Sequence, residues 1–215
     1  MRSLTLSANR CNDSSDDILP SNRLPKGAKA GILKAALRLF ATKGFAGASM
    51  RDLSQAVGLQ PASLYSHYKS KDIILGTLID IGHSEHLAQM EQALADADDD
   101  YCSQLSAYVQ ANTRFHGDYA LLATVINLEL HALSDEFMAA ALAARARSIQ
   151  LVMEIITQGS EQGVFNIAHD PRLATSAVCA ISLGISQWYN AEDGHNLDNI
   201  ALANSDFALR LVGAA

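Results

Sequence analysis

Residues 50–71, MRDLSQAVGLQPASLYSHYKSK, constrain the fold more than any other stretch of the chain. Two short apolar runs flank Gly58: Met50, Leu53 and Val57 before it, and Leu59, Leu64 and His67 after it. A helix, a tight turn at Gly58 and a second short helix put Leu53, Val57, Leu59 and Leu64 on one buried face. The second helix then turns Gln60, Ala62, Ser63, Tyr65 and Ser66 outward. Those side chains are small or polar, with one aromatic hydroxyl. Such a surface suits a DNA groove and offers little to an oily partner. The stretch therefore predicts a helix-turn-helix, and the rest of the chain has to explain what controls it.

Charge isolates the same region. From Arg23 to Asp72 there are nine basic residues against Asp52 and Asp72, a balance of +7. The whole chain carries −7, so the remainder carries −14. One basic island on an acidic chain is the footprint of a polyanion binder with a solvated body. At 215 residues, 49% of them apolar, the chain can bury a sizeable core as a small head plus a larger body. Alanine is abundant and β-branched alternation scarce, which predicts an all-α fold. No apolar run approaches membrane-spanning length, and the polar N-terminus lacks the apolar core of a secretory signal. Cys11, Cys102 and Cys179 are odd in number and scattered, as reduced thiols in a cytoplasmic protein would be.

In order, residues 1–24 are polar and rich in Ser, Asn and Asp, and are expected to form a disordered tail. Residues 25–70 form the three-helix head. Its first helix, from Lys29 to Thr42, carries Ile32, Leu33, Ala36, Leu37 and Phe40 on one face and stops at Gly44. Ser49 caps the second helix, with Asp52 in its first turn, and Ser70 caps the next. Residues 71–215 form the body: helices from Lys71 to about Leu94, Asp100 to Phe115, Tyr119 to His131 and Asp135 to Gln162. A helix over 171–190 follows, opened by Asp170-Pro171, and a last one over 196–212 is capped by Asn196. The expected total is about nine helices.

The head, LRLFATKGFAGASMRDLSQAVGLQPASLYSHYKSKDIIL, resembles the TetR family of bacterial transcriptional regulators over about residues 29–79. The resemblance rests on the apolar helix ending Phe-Ala-x-x-Gly-Phe, the Ser cap, the hairpin at Gly58 and Leu-Tyr-x-His-Tyr-x-Ser-Lys. It implies an all-α homodimer with a DNA-binding head and a variable ligand-binding body, paired through the helices 171–190 and 196–212. By position it implies phosphate contacts from Ser49, Arg51 and Lys71, base-edge contacts from Gln60, Ala62 and Ser63, and phosphate or base contacts from Tyr65 and His67. Pro61 stands where a basic or small polar residue is more usual, which removes one phosphate contact. In the body, Gln187-Trp188-Tyr189, and Glu129 with Arg145 and Arg147, are similar to a subgroup that answers to acyl-CoA or fatty-acid-derived ligands.

Other constellations have plainer readings. His83 and His86, with His116 or His131, have the side chains for a metal site, but no thiolate or second paired motif accompanies them; core histidines are the better reading. No nucleophile elbow or phosphate loop is present, so no catalytic residue and no cofactor are expected. Arg145 and Arg147 lie about 200° apart around a helix, so one can face a ligand while the other is solvated. Trp188 and Tyr189 fit a subunit interface. The expected function is a repressor bound as a homodimer to a double-stranded, near-palindromic operator and released by a small, mostly apolar effector. An activator or regulator without a small effector, and an all-α enzyme with a vestigial head, stand as alternatives.

Overall fold

The structure, a computed structural model, describes residues 18–190 and 193–214. It is all-α among the described residues, with α1 (Ala28–Gly47), α2 (Met50–Ala56), α3 (Pro61–His67), α4 (Lys71–Asp96), α5 (Tyr101–Asp118), α6 (Ala120–Leu128), α7 (Asp135–Glu161), α8 (Pro171–Leu183), α9 (Ile185–Trp188) and α10 (Leu197–Leu211). The helix expected over 171–190 is interrupted at Gly184, which separates α8 from α9. Counted as one, they bring the described helices to the expected nine. The chain packs as two compact units. Among the described residues, one holds those up to Glu85 with Tyr119–Leu142, and the other holds His86–Asp118 with those from Ala143 onward.

In the first unit, Ile32, Leu33, Ala36, Leu37 and Phe40 of α1 are at most 1% exposed. Full burial of each of the larger side chains, Ile32, Leu33, Leu37 and Phe40, contributes about 1.5–3 kcal/mol. The first helix ends at Gly44 as expected: the chain turns there, at a non-helical φ of +73°, and a further helical turn then carries on to Gly47. The reason is Phe45, which tucks its ring edge-on against Phe40 at 5.4 Å. Ser49 and Asp52 form the expected capping box at the start of α2. Gly58 takes φ +66°, which a residue without a Cβ adopts at no strain, and Pro61 opens α3 at its first position. Leu53 and Leu64 are fully buried between the helices, whereas Val57 and Leu59 are only half-buried. Gly76 of α4 receives the ring of Phe137, and Gly82 receives Ile126; a Cβ would stand 2.5 Å and 2.6 Å from those side chains.

Most of the expected N-terminal tail, residues 1–17, lies outside the described residues. Its last part is not loose. Ile18 and Leu19 are buried, and Arg23 donates to Glu85 at 2.6 Å and to the Ser84 carbonyl at 3.0 Å on α4. Two apolar side chains and one ion pair suffice to tie that segment down.

The second unit packs α5 along α10 and α8 around Leu105, Tyr108, Val109, Val152, Ile156 and Val178. Its buried polar groups are paired: the Thr113 and Ser182 hydroxyls meet at 2.9 Å, and Asn204 donates to Thr113 at 3.1 Å. Asp170 and Asn196 cap α8 and α10 with their side chains, as expected. The outer faces of α8, α9 and α10 keep Leu173, Leu183, Trp188, Leu202, Phe207 and Leu211 exposed.

Candidate nucleic-acid interface

The α3 helix exposes Gln60, Pro61, Ala62, Ser63, Tyr65 and Ser66 while Leu64 is fully buried beneath it. Tyr65 is 45% exposed and its phenol points away from the core. His67 is half-buried at the end of the helix. Ser66 donates its hydroxyl back to the Ser63 carbonyl at 2.7 Å, so it offers mainly an acceptor lone pair outward. The face is therefore a short polar row on a rigid base, the arrangement that groove reading requires.

Around that row the charged side chains divide into free and engaged. Arg51 is exposed and has no ion-pair partner among the described residues. Ser49 is committed to its cap: its hydroxyl meets Asp52 at 2.5 Å, and its backbone N–H donates to the same carboxylate at 2.9 Å. Those bonds, with Lys43 at 3.6 Å, hold the Asp52 carboxyl below its ordinary range. Lys71 is engaged as well. Its ammonium donates to the Phe45 carbonyl at 2.9 Å and the Ala48 carbonyl at 3.2 Å, and stands 4.2 Å over the Phe45 ring. It closes the end of α1, a role that sequence spacing does not reveal because the partners lie 23 and 26 residues away.

The three body residues separate. Glu129, at the end of α6, accepts the Phe45 N–H at 3.0 Å in the first unit. Arg147 of the second unit is exposed and pairs with Glu154 at 3.6 Å. Arg145, also in the second unit, is half-buried and has no ion-pair partner among the described residues. In the same unit His86 meets Asn112 at 2.9 Å and Ser148 at 3.2 Å. Burial lowers the His86 pKa from its ordinary value, and the charge of Arg145 lowers it further. His116 is held by the Asn112 carbonyl at 2.8 Å, and burial brings its pKa down to about 4. His131 bonds the Leu128 carbonyl. Cys102 and Cys179 are free thiols, both pushed up by burial, Cys179 to about 11; Cys11 lies outside the described residues. A groove of about 590 Å³ runs along the end of α4 and the side of α5, past Asp96, Asp98, Gln110 and Arg114. It is polar and open, and its arginine is already bound to Asp198 at 2.8 Å.

Two family models match. Residues 32–77 match "Bacterial regulatory proteins, tetR family", and residues 98–212, more than half of the chain, match "Tetracyclin repressor-like, C-terminal domain". The chain belongs to the TetR family. It is thus a TetR-family transcriptional regulator, with a helix-turn-helix head and the family's helical C-terminal body. A TetR-family regulatory protein from Rhodococcus RHA1 is 29% identical with a TM-score of 0.80, covering 89% of this chain and 100% of that one. PfmR from Thermus thermophilus is 29% identical with a TM-score of 0.76, covering 89% and 99%. AibR, solved in complex with isovaleryl coenzyme A and operator DNA, shares the fold at 22% identity and a TM-score of 0.71, covering 86% and 98%. Among curated proteins, the uncharacterized HTH-type transcriptional regulator YerO of Bacillus subtilis (strain 168) is 38% identical over 47 residues, 22% of this chain and only 16% of its own length. No described helix is long and apolar enough to cross a membrane.

Proposed function

We propose that this TetR-family regulator is a repressor that binds a near-palindromic operator as a homodimer and leaves it when a small effector fills the body. The observation that carries the reading is the exposed row on α3 above the buried Leu53 and Leu64. In this reading Gln60, Ala62 and Ser63 face base edges, and Tyr65 and His67 touch phosphates or bases. Arg51 and the remaining donor of Lys71 engage phosphates, whereas both donors of Ser49 are taken up by Asp52. With Ala62 and Pro61 offering no long polar side chain, groove shape supplies part of the sequence preference.

The apolar residues left exposed on α8, α9 and α10 support a dimer through those helices, since monomers rarely expose a large contiguous apolar patch. Two heads would then dock in successive major grooves about one helical turn, or a multiple of it, apart. Such a regulator works in the bacterial cytoplasm, requires no cofactor and catalyses nothing. The effector has to bind the DNA-incompetent arrangement better than the competent one, or it shifts nothing. An acyl-CoA or fatty-acid-like effector accords with the isovaleryl coenzyme A bound by AibR. Among Glu129, Arg145 and Arg147, Arg145 suits an anionic effector best, because Glu129 is itself an anion and Arg147 already pairs with Glu154. The test is to select operator fragments from random DNA and measure binding of Tyr65→Ala and Arg51→Ala at two salt concentrations. Tyr65→Ala should relax sequence preference. Arg51→Ala should weaken binding to all sequences and lower the salt slope by about one unit. Unchanged binding by both variants removes the α3 face as the reader.

A further inference from the structure

Residues 18–23, and the residues of α4 that they meet, lie outside both stretches that match the family models, 32–77 and 98–212. We infer that these residues form a strap, with Arg23 as its positioning residue, that holds α4 and thereby sets operator affinity without touching DNA. The inference rests on the DNA-binding reading above and adds a control to it. The strap is built locally. Ile18, Leu19 and Pro20 are buried in the first unit, although a polar stretch of sequence precedes them. Pro20 then opens a short 3-10 turn over Ser21–Arg23, in which the Arg23 N–H donates to the Pro20 carbonyl at 3.1 Å. That turn presents two neighbouring side chains to one carboxylate: Asn22 donates to Glu85 at 3.3 Å and Arg23 at 2.6 Å. The same guanidinium donates to the Ser84 carbonyl at 3.0 Å.

Arg23 is thus turned inward. It counts toward the basic island of the sequence, yet its charge is engaged by Glu85, whose side chain is only 10% exposed. A charge-assisted pair at that depth is screened by salt far less than a surface pair. Contacts to two adjacent residues of a helix fix it both along and around its axis. The hold falls at the far end of the part of α4 that belongs to the first unit. At the near end, roughly 20 Å away at 1.5 Å per residue, Lys71 closes α1 through the Phe45 and Ala48 carbonyls. Between the two ends Gly76 takes Phe137 and Gly82 takes Ile126. With the strap in place Ile81, Gly82, His83 and Glu85 are all buried, so α4 is enclosed nearly all round at this level. The α3 face lies in the same unit. Freedom that α4 gains when the strap leaves is freedom that operator binding has to remove again. The apparent Kd rises by the inverse of the competent fraction, so a fraction of about one fifth gives a loss of about fivefold.

The experiment measures binding of the full chain to a selected operator by fluorescence anisotropy at several salt concentrations. Amide hydrogen exchange of the same proteins is followed over residues 18–24 and 81–86. Arg23→Gln, Glu85→Gln and Leu19→Ala should each raise exchange over both segments and weaken operator binding about fivefold, with the salt slope unchanged. Arg23→Lys, which keeps the charge without the planar fork, should fall between Arg23→Gln and the native chain. Operator affinity that stays at the native value although exchange rises overturns the inference, and so does exchange that stays unchanged. A salt slope lowered by about 0.9 in Arg23→Gln, with Glu85→Gln binding as tightly as the native chain or tighter, also overturns it, because that is the pattern of an arginine on a phosphate. Should Arg23→Gln fail to fold, Arg23→Lys and Leu19→Ala decide by the same comparison. A native chain that selects no operator sinks the repressor reading and this inference with it, whereas native affinity across the loosened variants sinks this inference alone.

Discussion

Lys71→Met separates a structural lysine from a phosphate-binding one. Lys71 makes two charge-assisted hydrogen bonds, to the carbonyls of Phe45 and Ala48, and sits 4.2 Å over the Phe45 ring. Hydrogen bonds to charged groups contribute about 1.5–3 kcal/mol when buried. Lys71 is only half-buried, so about 1 kcal/mol for each bond is the appropriate scale. The cation over the ring adds about 0.5 kcal/mol. Methionine keeps the aliphatic packing against Phe45 and removes the rest, a loss of about 2–3 kcal/mol. For a chain of this size that lowers Tm by about 4–10 °C. Thermal unfolding by circular dichroism measures it, and fluorescence anisotropy on an operator fragment at several salt concentrations measures the DNA side. A lysine that only touched phosphate would leave Tm unchanged and lower the salt slope by about 0.9. Observation of that pattern refutes the capping role.

Three further outcomes follow from the packing. Gly76→Ala places a methyl 2.5–2.7 Å from ring carbons of Phe137, so it should lose about 1–3 kcal/mol despite the ~1 kcal/mol gain in helix propensity, and Phe137→Leu in the same chain should restore part of the loss in a thermal melt. Leu202→Asp with Phe207→Asp charges two exposed apolar positions of α10; sedimentation velocity should show a monomer of native helix content whose operator affinity is at least tenfold weaker. His116 is kept neutral by burial, with a folded pKa of about 4 against 6.5 unfolded. Its contribution is fully present above pH 6.5 and is lost as pH falls toward 4, up to about 3 kcal/mol. Urea unfolding across that window should be flatter for His116→Gln than for the native chain, and His86, shifted in the same direction, accounts for part of the remaining slope.

Local signals were legible and distant ones were not. Ser49 with Asp52, Asp170 with Pro171, and Asn196 are caps whose partners lie within three residues, and each forms as the spacing predicts. The α3 face was legible because Leu64 and the residues around it obey one helical period. Gly44 ends the first helix as its sequence position predicts, but the further turn to Gly47 depends on Phe45, held by residues 26 and 84 positions away, and is not legible. Ile18 and Leu19 look like part of a polar tail until their burial is seen. The two arginines were half legible: spacing separates Arg145 from Arg147, but only packing shows which one turns inward.

Glu129 decides how the head is held. It ends α6, where the negative end of the helix dipole disfavours a carboxylate by about 0.3–1 kcal/mol. Something must offset that, and the Phe45 N–H does so at 3.0 Å. The kink at Gly44 brings the chain close enough that a Cβ there would stand 3.5 Å from the same carboxylate oxygen. Phe45 is thereby fixed twice, its N–H by Glu129 and its carbonyl by Lys71, in the same unit that carries α3. Glu129→Ala leaves the N–H without its charged acceptor and should lose about 1.5–3 kcal/mol, lowering Tm by about 3–10 °C and weakening operator binding. Glu129→Gln keeps a neutral acceptor of similar reach and should lose about half as much. An effector-contacting Glu129 behaves differently: both variants would melt like the native chain and change only the response to effector. Equal melting temperatures across the three proteins would therefore show that the bond to Phe45 does not hold the head.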